Sequence, residues 1–157
     1  MADDIHFKLN GQPARLAAAG GGMLLFALRN ELGLKGPRFG CGEGHCGACM
    51  VLVDGRPANA CDLPTSAAAG TSVVTPEGLG ATPEGQALQR AFIELQAGQC
   101  GYCLSGVLIS AAALLRREAR PTETQVRSAL DRHLCRCGTH QRIVRAVLSA
   151  AAELADA

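Results

Sequence analysis

The sequence contains no tryptophan and few aromatic residues of any kind. Phe, Tyr and Trp together make up 3% of the 157 residues, whereas 48% of the residues are hydrophobic. Alanine, leucine and valine must therefore fill the core. A chain of this length can form one ordinary domain or two small ones.

The chain also has almost no excess of charge of either sign. Its formal net charge is +1 at pH 7, which argues against the strongly basic face of a nucleic-acid-binding protein. The longest apolar stretch, residues 104–115, is too short to cross a membrane. The N-terminus is acidic and does not have the pattern of a signal peptide. We therefore expect a cytoplasmic location, while export or membrane association together with a signal-bearing partner stays open.

Cysteine, in contrast, is abundant. The chain has eight cysteines: Cys41, Cys46, Cys49, Cys61, Cys100, Cys103, Cys135 and Cys137. In a secreted chain this number would suggest four disulfide bonds, but no export signal is evident and a core of this size does not need such crosslinks. The cysteines therefore indicate metal or redox chemistry.

The first half of the chain, residues 1–76, has the pattern of a small mixed α+β domain. Alternating sequences flank the turn signals Asn10-Gly11 and Asp54-Gly55, which predict two β-hairpins. A helix is predicted over residues 23–32 and a closing strand over residues 71–75.

The second half, residues 77–157, has the pattern of a helical domain. Helices are predicted over residues 83–95, 104–117, 122–134 and 141–154. Thr122 and Gln125 have the spacing of a capping box at the start of the third helix. Four helices joined by short loops predict a helix bundle. The segment 75–85 is rich in Gly and Pro and is predicted to be the hinge between the halves.

The cysteines of the first half have the spacing of a plant-type [2Fe–2S] ferredoxin. Cys41, Cys46 and Cys49 follow a C-x4-C-x2-C pattern, and Cys61 lies beyond the second hairpin. Four thiolates on two ferric ions and two sulfides leave a charge of about −2, which backbone N–H groups must stabilise. The loop contains four glycines that allow it to bend around the sulfurs: Gly40, Gly42, Gly44 and Gly47. Glu43 and His45 are expected to point outward.

Two other interpretations of this stretch are weaker. A zinc site could use Cys46, Cys49 and Cys61, but it would need neither the x4 spacing nor so many glycines. The spacing of Gly42, Gly44 and Gly47 also matches a dinucleotide-binding fingerprint. Cysteines fill its intervening positions, however, and no long helix follows as that fold requires.

The second half contains a C-x2-C pair, Cys100 and Cys103, and a C-x-C pair, Cys135 and Cys137. Taken alone, this spacing suits either a second [2Fe–2S] cluster or zinc. The residues from Cys137 to His140 resemble half of a Rieske site, but the chain has no second such motif. His140 is therefore expected at the start of a helix.

Basic residues crowd the second C-x-C pair: Arg132, His133, Arg136, Arg142 and Arg145. A solvated helix face explains some of these residues, because arginines at helix ends have ordinary reasons to be there. For Arg136, which lies between two cysteines, a second explanation stays open: it balances the charge of a cluster or contacts a partner.

The two cysteine patterns in this order resemble the two-cluster iron–sulfur protein of the xanthine oxidase family of molybdenum hydroxylases. The stretches GCGEGHCGACMVLVDG, QCGYCLSG and LCRCGTH carry the resemblance, which extends over residues 5–150. It implies a β-grasp ferredoxin-like domain over residues 1–76 and a four-helix bundle over residues 77–157, each with one [2Fe–2S] cluster. It also implies that Gln99 and Cys137 approach the molybdopterin of a large partner subunit.

Two motifs differ from those of many family members. Cys103 is followed by Leu-Ser-Gly where Thr-Pro-Gly is common, and Cys137 by Gly-Thr-His where Thr-Gly-Tyr is common. Both variants resemble the separate small subunits of isoquinoline 1-oxidoreductase and nicotinate dehydrogenase. The resemblance implies an electron-transfer subunit: the partner's molybdenum centre oxidises an N-heterocycle or an aldehyde, and two clusters relay the electrons to an acceptor such as cytochrome c. No side chain of this chain is then expected to be catalytic.

Two further functions stay open at this point. One is a free-standing ferredoxin-like carrier, although such a carrier would not need the helical half. The other is a zinc-stabilised adaptor or redox sensor. If the chain is instead a subunit, its helical half should present a partly exposed apolar face to the large partner.

Overall fold

The computed structural model describes residues 4–17 and 21–156. Five strands are present in this part of the chain: β1 (Ile5–Leu9), β2 (Gln12–Leu16), β3 (Met50–Val53), β4 (Arg56–Asn59) and β5 (Ser72–Val74). They form one mixed sheet in the order β2-β1-β5-β3-β4. Strands β1 and β5 pair in parallel, and the other neighbours pair antiparallel.

The described residues also form six helices: α1 (Leu24–Phe26), α2 (Pro76–Leu79), α3 (Pro83–Glu94), α4 (Leu104–Arg117), α5 (Glu123–Leu130) and α6 (His140–Ala155). Helix α1 continues as a π-helical turn, Ala27–Glu31, and two 3-10 turns, Ala60–Asp62 and Thr65–Ala68, follow β4. Within the described ranges, no helix is both long enough and apolar enough to cross a membrane.

Both predicted hairpins are confirmed. Strands β1 and β2 pair through Leu9 and Gln12, with Asn10 and Gly11 at φ values of +50° and +83° between them. The second hairpin, β3–β4, has the same geometry, with its two turn residues at +47° and +78°. Two left-handed residues in succession form the type I′ turn that suits the twist of paired strands.

Strand β3 separates two hydrophobic cores because successive side chains point to opposite faces of a sheet. Met50 and Leu52 belong to the core formed with the helices. Val51 belongs to the other core, together with Phe7 and Val73. The helical half therefore packs on one face of the sheet and α1 on the other.

The four longest helices lie near the positions predicted for them. Helix α3 packs against α6 and α4, and α5 packs against α4 and α6. The capping box of Thr122 and Gln125 is confirmed: the Thr122 side chain accepts from the Gln125 N–H, and the Gln125 side chain accepts from the Thr122 N–H. Helix α5 ends at Leu130, earlier than predicted, because the chain then turns toward the first cysteine loop.

The segment predicted to be a hinge is folded. Residues 75–85 contain α2, which packs against α4, and Thr75 and Leu79 are fully or almost fully buried. The Asn10 side chain accepts from the Thr75 N–H at 2.8 Å and donates to its hydroxyl at 3.0 Å. Packed structure, rather than an open linker, therefore connects the two halves. The domain boundary at residue 76 stays a prediction.

Candidate metal centres

The structure brings the four cysteines of the first half together. Cys41, Cys46 and Cys49 lie in the loop between α1 and β3, and Cys61 lies in the 3-10 turn after β4. Backbone N–H groups join them in pairs: Cys41 donates to Cys46 Sγ at 3.3 Å, and Cys61 donates to Cys49 Sγ at 3.4 Å. The Cys49 thiol is also close enough to Cys46 to be affected by its charge. We call these four residues the first cysteine group.

Backbone amides surround the sulfurs of this group, as predicted. Glu43, His45 and Cys46 donate their N–H groups to Cys41 Sγ at 3.4, 3.2 and 3.4 Å. Gly44 donates to Cys61 Sγ at 3.3 Å. These donors stabilise negative charge on sulfur.

Glycine conformation makes this arrangement possible. Gly42 and Gly44 have φ values of +74° and +71°, which residues with side chains rarely adopt. Glu43 and His45 are exposed, which confirms that their side chains point outward.

The thiols of the first group differ widely in acidity. Hydrogen bonds from the Glu43, Cys46 and His45 N–H groups lower the pKa of Cys41 to about 6. Burial, together with the neighbouring Cys61 and Cys46 thiols, raises the pKa of Cys49 to about 12. At neutral pH the Cys41 thiol therefore favours its thiolate form, whereas the Cys49 thiol favours its protonated form.

The remaining four cysteines form a second group at the ends of the helices. Cys103 precedes α4, Cys100 lies in the loop before it, and Cys135 and Cys137 lie in the loop between α5 and α6. The Cys103 thiol lies near enough to Cys135, and the Cys100 thiol near enough to Cys137, for each neighbour to shift the pKa of the other thiol. Thr139 Oγ1 is 3.4 Å from Cys135 Sγ. The predicted pairing of C-x2-C with C-x-C is therefore present in space.

The second group also combines acidic and non-acidic thiols. Burial raises the pKa of Cys103 to about 12, with a smaller contribution from Cys135. For Cys135, burial acts in the same direction, but hydrogen bonds from Thr139 and Cys103 outweigh it and lower the pKa to about 6. The Tyr102 N–H, followed by the Cys137 thiol, lowers the pKa of the exposed Cys100.

The donor chemistry of both groups suits thiolate-ligated iron. All eight cysteines are free thiols, and soft thiolates with N–H donors at sulfur are the environment of iron–sulfur clusters. Within residues 4–17 and 21–156, no three Cys, His, Asp or Glu side chains are grouped so as to hold a single metal ion. The fit to a cluster therefore rests on the chemistry of the donors.

The other predicted site residues lie around the second group. Gln99 is exposed next to Cys100, and Cys137 is half-buried. Arg136 is exposed. His140 begins α6, as predicted. The proximity of Gln99 and Cys137 to a pterin stays a prediction.

A solvated helix face, which was expected for some of the basic residues near the second C-x-C pair, does not describe His133. This residue is 4% exposed, and its Nε2 lies 2.7 Å from Ser110 Oγ. Burial and the charge of Arg132 lower its pKa to about 4, although the Gly47 carbonyl acts in the opposite direction. The sequence carries no signal for this burial, because Ser110 and Gly47 are distant from His133 along the chain.

The sequence also provided no indication of a contact between the loop that contains Cys41 and the loop that contains Cys100. Arg38 donates from Nη1 to the Gly101 carbonyl at 2.8 Å. The Tyr102 hydroxyl donates to the Phe39 carbonyl. These residues lie directly beside the first and second cysteine groups, so the contact joins the two centres at the surface.

Both halves match known iron–sulfur families. Residues 7–75 match the family described as 2Fe-2S iron-sulfur cluster binding domain, and residues 75–148 match the [2Fe-2S] binding domain family. Fold and site together define a protein with two [2Fe–2S]-binding domains. The second match favours a cluster over zinc, a choice that the spacing in the second half left open.

Similarity to individual known proteins shows which family within this class the chain belongs to. The chain is 48% identical to a nicotinate dehydrogenase chain of Pseudomonas putida, over 96% of each chain. It is 47% identical to the alpha chain of isoquinoline 1-oxidoreductase from Brevundimonas diminuta, over 96% of this chain and 99% of that one. The crystal structure of the aldehyde oxidoreductase from Desulfovibrio desulfuricans matches with a TM-score of 0.89 and 38% identity, covering 97% of this chain but 17% of that chain. The protein belongs to the iron–sulfur subunits of the xanthine oxidase family of molybdenum hydroxylases.

Proposed function

We propose that this chain relays electrons from the molybdenum centre of a large partner subunit to an external acceptor, in an enzyme that oxidises an N-heterocycle. The observation that carries the proposal is the assembly of eight free cysteines into two separate groups of four, one in each half. The names of the nicotinate and isoquinoline relatives support an N-heterocyclic substrate, and the aldehyde oxidoreductase supports an aldehyde as the alternative.

Each cysteine group is proposed to hold one [2Fe–2S] cluster. The first group supplies Cys41, Cys46, Cys49 and Cys61, and the second supplies Cys100, Cys103, Cys135 and Cys137. When bound, such clusters carry single electrons at potentials that depend on hydrogen bonds to sulfur and on burial. The chain's own contribution is to donate N–H groups to sulfur and to shield the inner thiols from water.

The architecture is proposed to be a β-grasp ferredoxin-like domain followed by a four-helix bundle, with the boundary at residue 76. The mixed sheet with α1 on one face supports the first assignment. The mutual packing of α3, α4, α5 and α6 supports the second.

The partner is proposed to cover the surface around the second cysteine group. Gln99 and Cys100 are exposed there, and so are the apolar side chains of Tyr102 and Leu134, at 49% and 68%. Gln99 and Cys137 would contact the molybdopterin held by the partner. The much longer aldehyde oxidoreductase chain, of which this chain spans 17%, supports a large neighbour at such a surface.

The acceptor is proposed to be a cytochrome c or another one-electron carrier. Assembly is proposed to take place in the cytoplasm, because the insertion of iron requires reduced thiols and a reducing compartment keeps them available.

Metal analysis of the purified complex tests the proposal. We expect about four irons per chain, as two [2Fe–2S] clusters require. Cys49→Ser and Cys103→Ser should each remove about half of this iron and one of two electron paramagnetic resonance (EPR) signals. The exposed His6→Gln variant is the control and should keep both signals. A folded, colourless preparation without iron, or one that contains zinc in place of iron, would contradict the proposal.

A further inference from the structure

The side chain of His133 contacts the helix that begins at the second cysteine group. Its Nε2 lies 2.7 Å from Ser110 Oγ on α4, which starts directly after Cys103. Both side chains are 4% exposed. Burying a polar atom costs free energy unless it is hydrogen-bonded, so the hydrogen bond between Nε2 and Ser110 Oγ favours this orientation of the ring.

Another part of the ring lies against the loop that contains Cys41, Cys46 and Cys49, which we call the first cysteine loop. Gly47, between Cys46 and Cys49, has a φ of +74°, and a Cβ on it would overlap Nδ1 of His133 and lie 2.7 Å from the Arg132 carbonyl oxygen. Among the residues that the structure describes, Nδ1 has no hydrogen-bond partner. The loop therefore meets the flat ring through the backbone of a glycine, at a distance that a side chain on residue 47 would prevent.

The backbone next to His133 makes a third connection. Leu134 donates its N–H to the Cys46 carbonyl at 3.1 Å, and Cys135 follows immediately. Gly106 on α4 lies so close to Gly47 that a Cβ on Gly106 would overlap the Gly47 carbonyl oxygen. Three segments thus meet at one imidazole, and each carries cysteines of one group or the other.

We propose that His133 is a positioning residue that fixes the first cysteine loop against α4 and the Cys135 loop, and so sets the separation of the two clusters. The inference rests on the proposed function, because it requires Cys46, Cys103 and Cys135 to be ligands. His133 touches no reacting atom and acts through the loops that it holds.

An imidazole suits this position because it is flat and carries a nitrogen that reaches Ser110. Phenylalanine would keep a flat ring but would leave Ser110 Oγ buried without its partner, which displaces or destabilises the surrounding segments. Glutamine is long enough to place its amide near the position of Nε2. The magnetic coupling and the electron-transfer rate between two clusters both fall steeply with distance, so a small displacement is measurable.

The test uses the chain in complex with its companion subunits, reduced with dithionite and examined by EPR. When both clusters are reduced, each gives its own signal and splits the signal of the other. We expect His133→Phe to change or abolish this splitting while both individual signals remain. The separate variant His133→Gln should keep the wild-type splitting. Ser110→Ala removes the same hydrogen bond with the ring in place, and it should change the splitting in the same direction.

The exposed His6→Gln variant is the matched control. The proposal is overturned if His133→Phe and Ser110→Ala both keep the wild-type splitting, or if His133→Gln is as impaired as His133→Phe. Should His133→Phe fail to assemble, Ser110→Ala decides the question. A wild-type complex without two cluster signals would instead contradict the proposed function.

Discussion

The guanidinium of Arg38 lies 5.1 Å from the centre of the Tyr102 ring. Arg38 precedes the first cysteine group, and Tyr102 lies between two cysteines of the second. Because Arg38 also donates to the Gly101 carbonyl and the Tyr102 hydroxyl donates to the Phe39 carbonyl, each loop binds the other. This contact stabilises the surface where the two halves meet.

Arg38→Ala should lower the free energy of unfolding by about 1–2 kcal/mol, since it removes a cation–π contact and a hydrogen bond. Denaturant unfolding of the cluster-loaded chain measures the change. Arg15→Ala is the control, because the exposed ion pair of Arg15 with Asp4 contributes less than about 1 kcal/mol. Equal losses in the two variants would contradict the role given to Arg38.

Gly106→Ala should destabilise the chain by about 2 kcal/mol, because the new Cβ overlaps the Gly47 carbonyl. A loss of stability would be informative, since alanine in place of glycine normally stabilises a helix by about 1 kcal/mol. Thermal unfolding measures the effect. At Gly80 a Cβ would find only Gln89 Nε2, at 3.7 Å, so Gly80→Ala should not destabilise the chain. A neutral or stabilising Gly106→Ala would show that the two backbones are not in close contact.

Thr122→Ala should cost about 1 kcal/mol, because it removes the side chain that accepts from the Gln125 N–H at the start of α5. Unfolding followed by circular dichroism measures the loss. Thr124→Ala, at an exposed position of the same helix, is the matched control and should be neutral or slightly stabilising. A loss of the same size in both variants would show that the cap contributes nothing specific.

In protein from which iron has been removed, iodoacetamide should modify Cys41 well before Cys49 at pH 7. The reactive species is the thiolate. The Cys41 pKa of about 6 makes that thiol largely ionised at pH 7, whereas the Cys49 pKa of about 12 keeps the buried thiol protonated. Modification of Cys41 should slow as the pH falls below about 6. Mass spectrometry of the peptides measures both rates, and equal rates at pH 7 would refute the assigned acidities.

The second cysteine group should behave in the same way. Cys135, with a pKa of about 6, should react before Cys103, with a pKa of about 12. Reversal of this order would show that hydrogen bonds from Thr139 and Cys103 do not outweigh burial at Cys135.

Features that depend on neighbouring residues could be predicted without coordinates. Asn10-Gly11 and Asp54-Gly55 determine their hairpins because both turn residues must adopt positive φ. Thr122 and Gln125 cap α5 through contacts within a single turn. Cysteine spacing indicated the two groups because thiols on short loops have few ways to converge.

Features that depend on packing between distant segments could not be predicted from the sequence. The segment 75–85 has the composition of a linker, yet Leu79 becomes buried beneath α4. Gly47 was interpreted only as a flexible loop residue, but its lack of a side chain also admits the His133 ring.

Local sequence patterns therefore predicted the two cysteine groups and most of the helices and strands, because those signals act over a few residues. The class of protein was predicted from the resemblance that the cysteine motifs carry, since the spacing of the second group alone also suits zinc. Only the folded structure shows which contacts join the two cysteine groups. Arg38 and Tyr102, or Gly47, Ser110 and His133, become neighbours only when the sheet and the helices pack together. Close backbone approach and burial, which hold these residues in place, leave no periodic trace in the sequence.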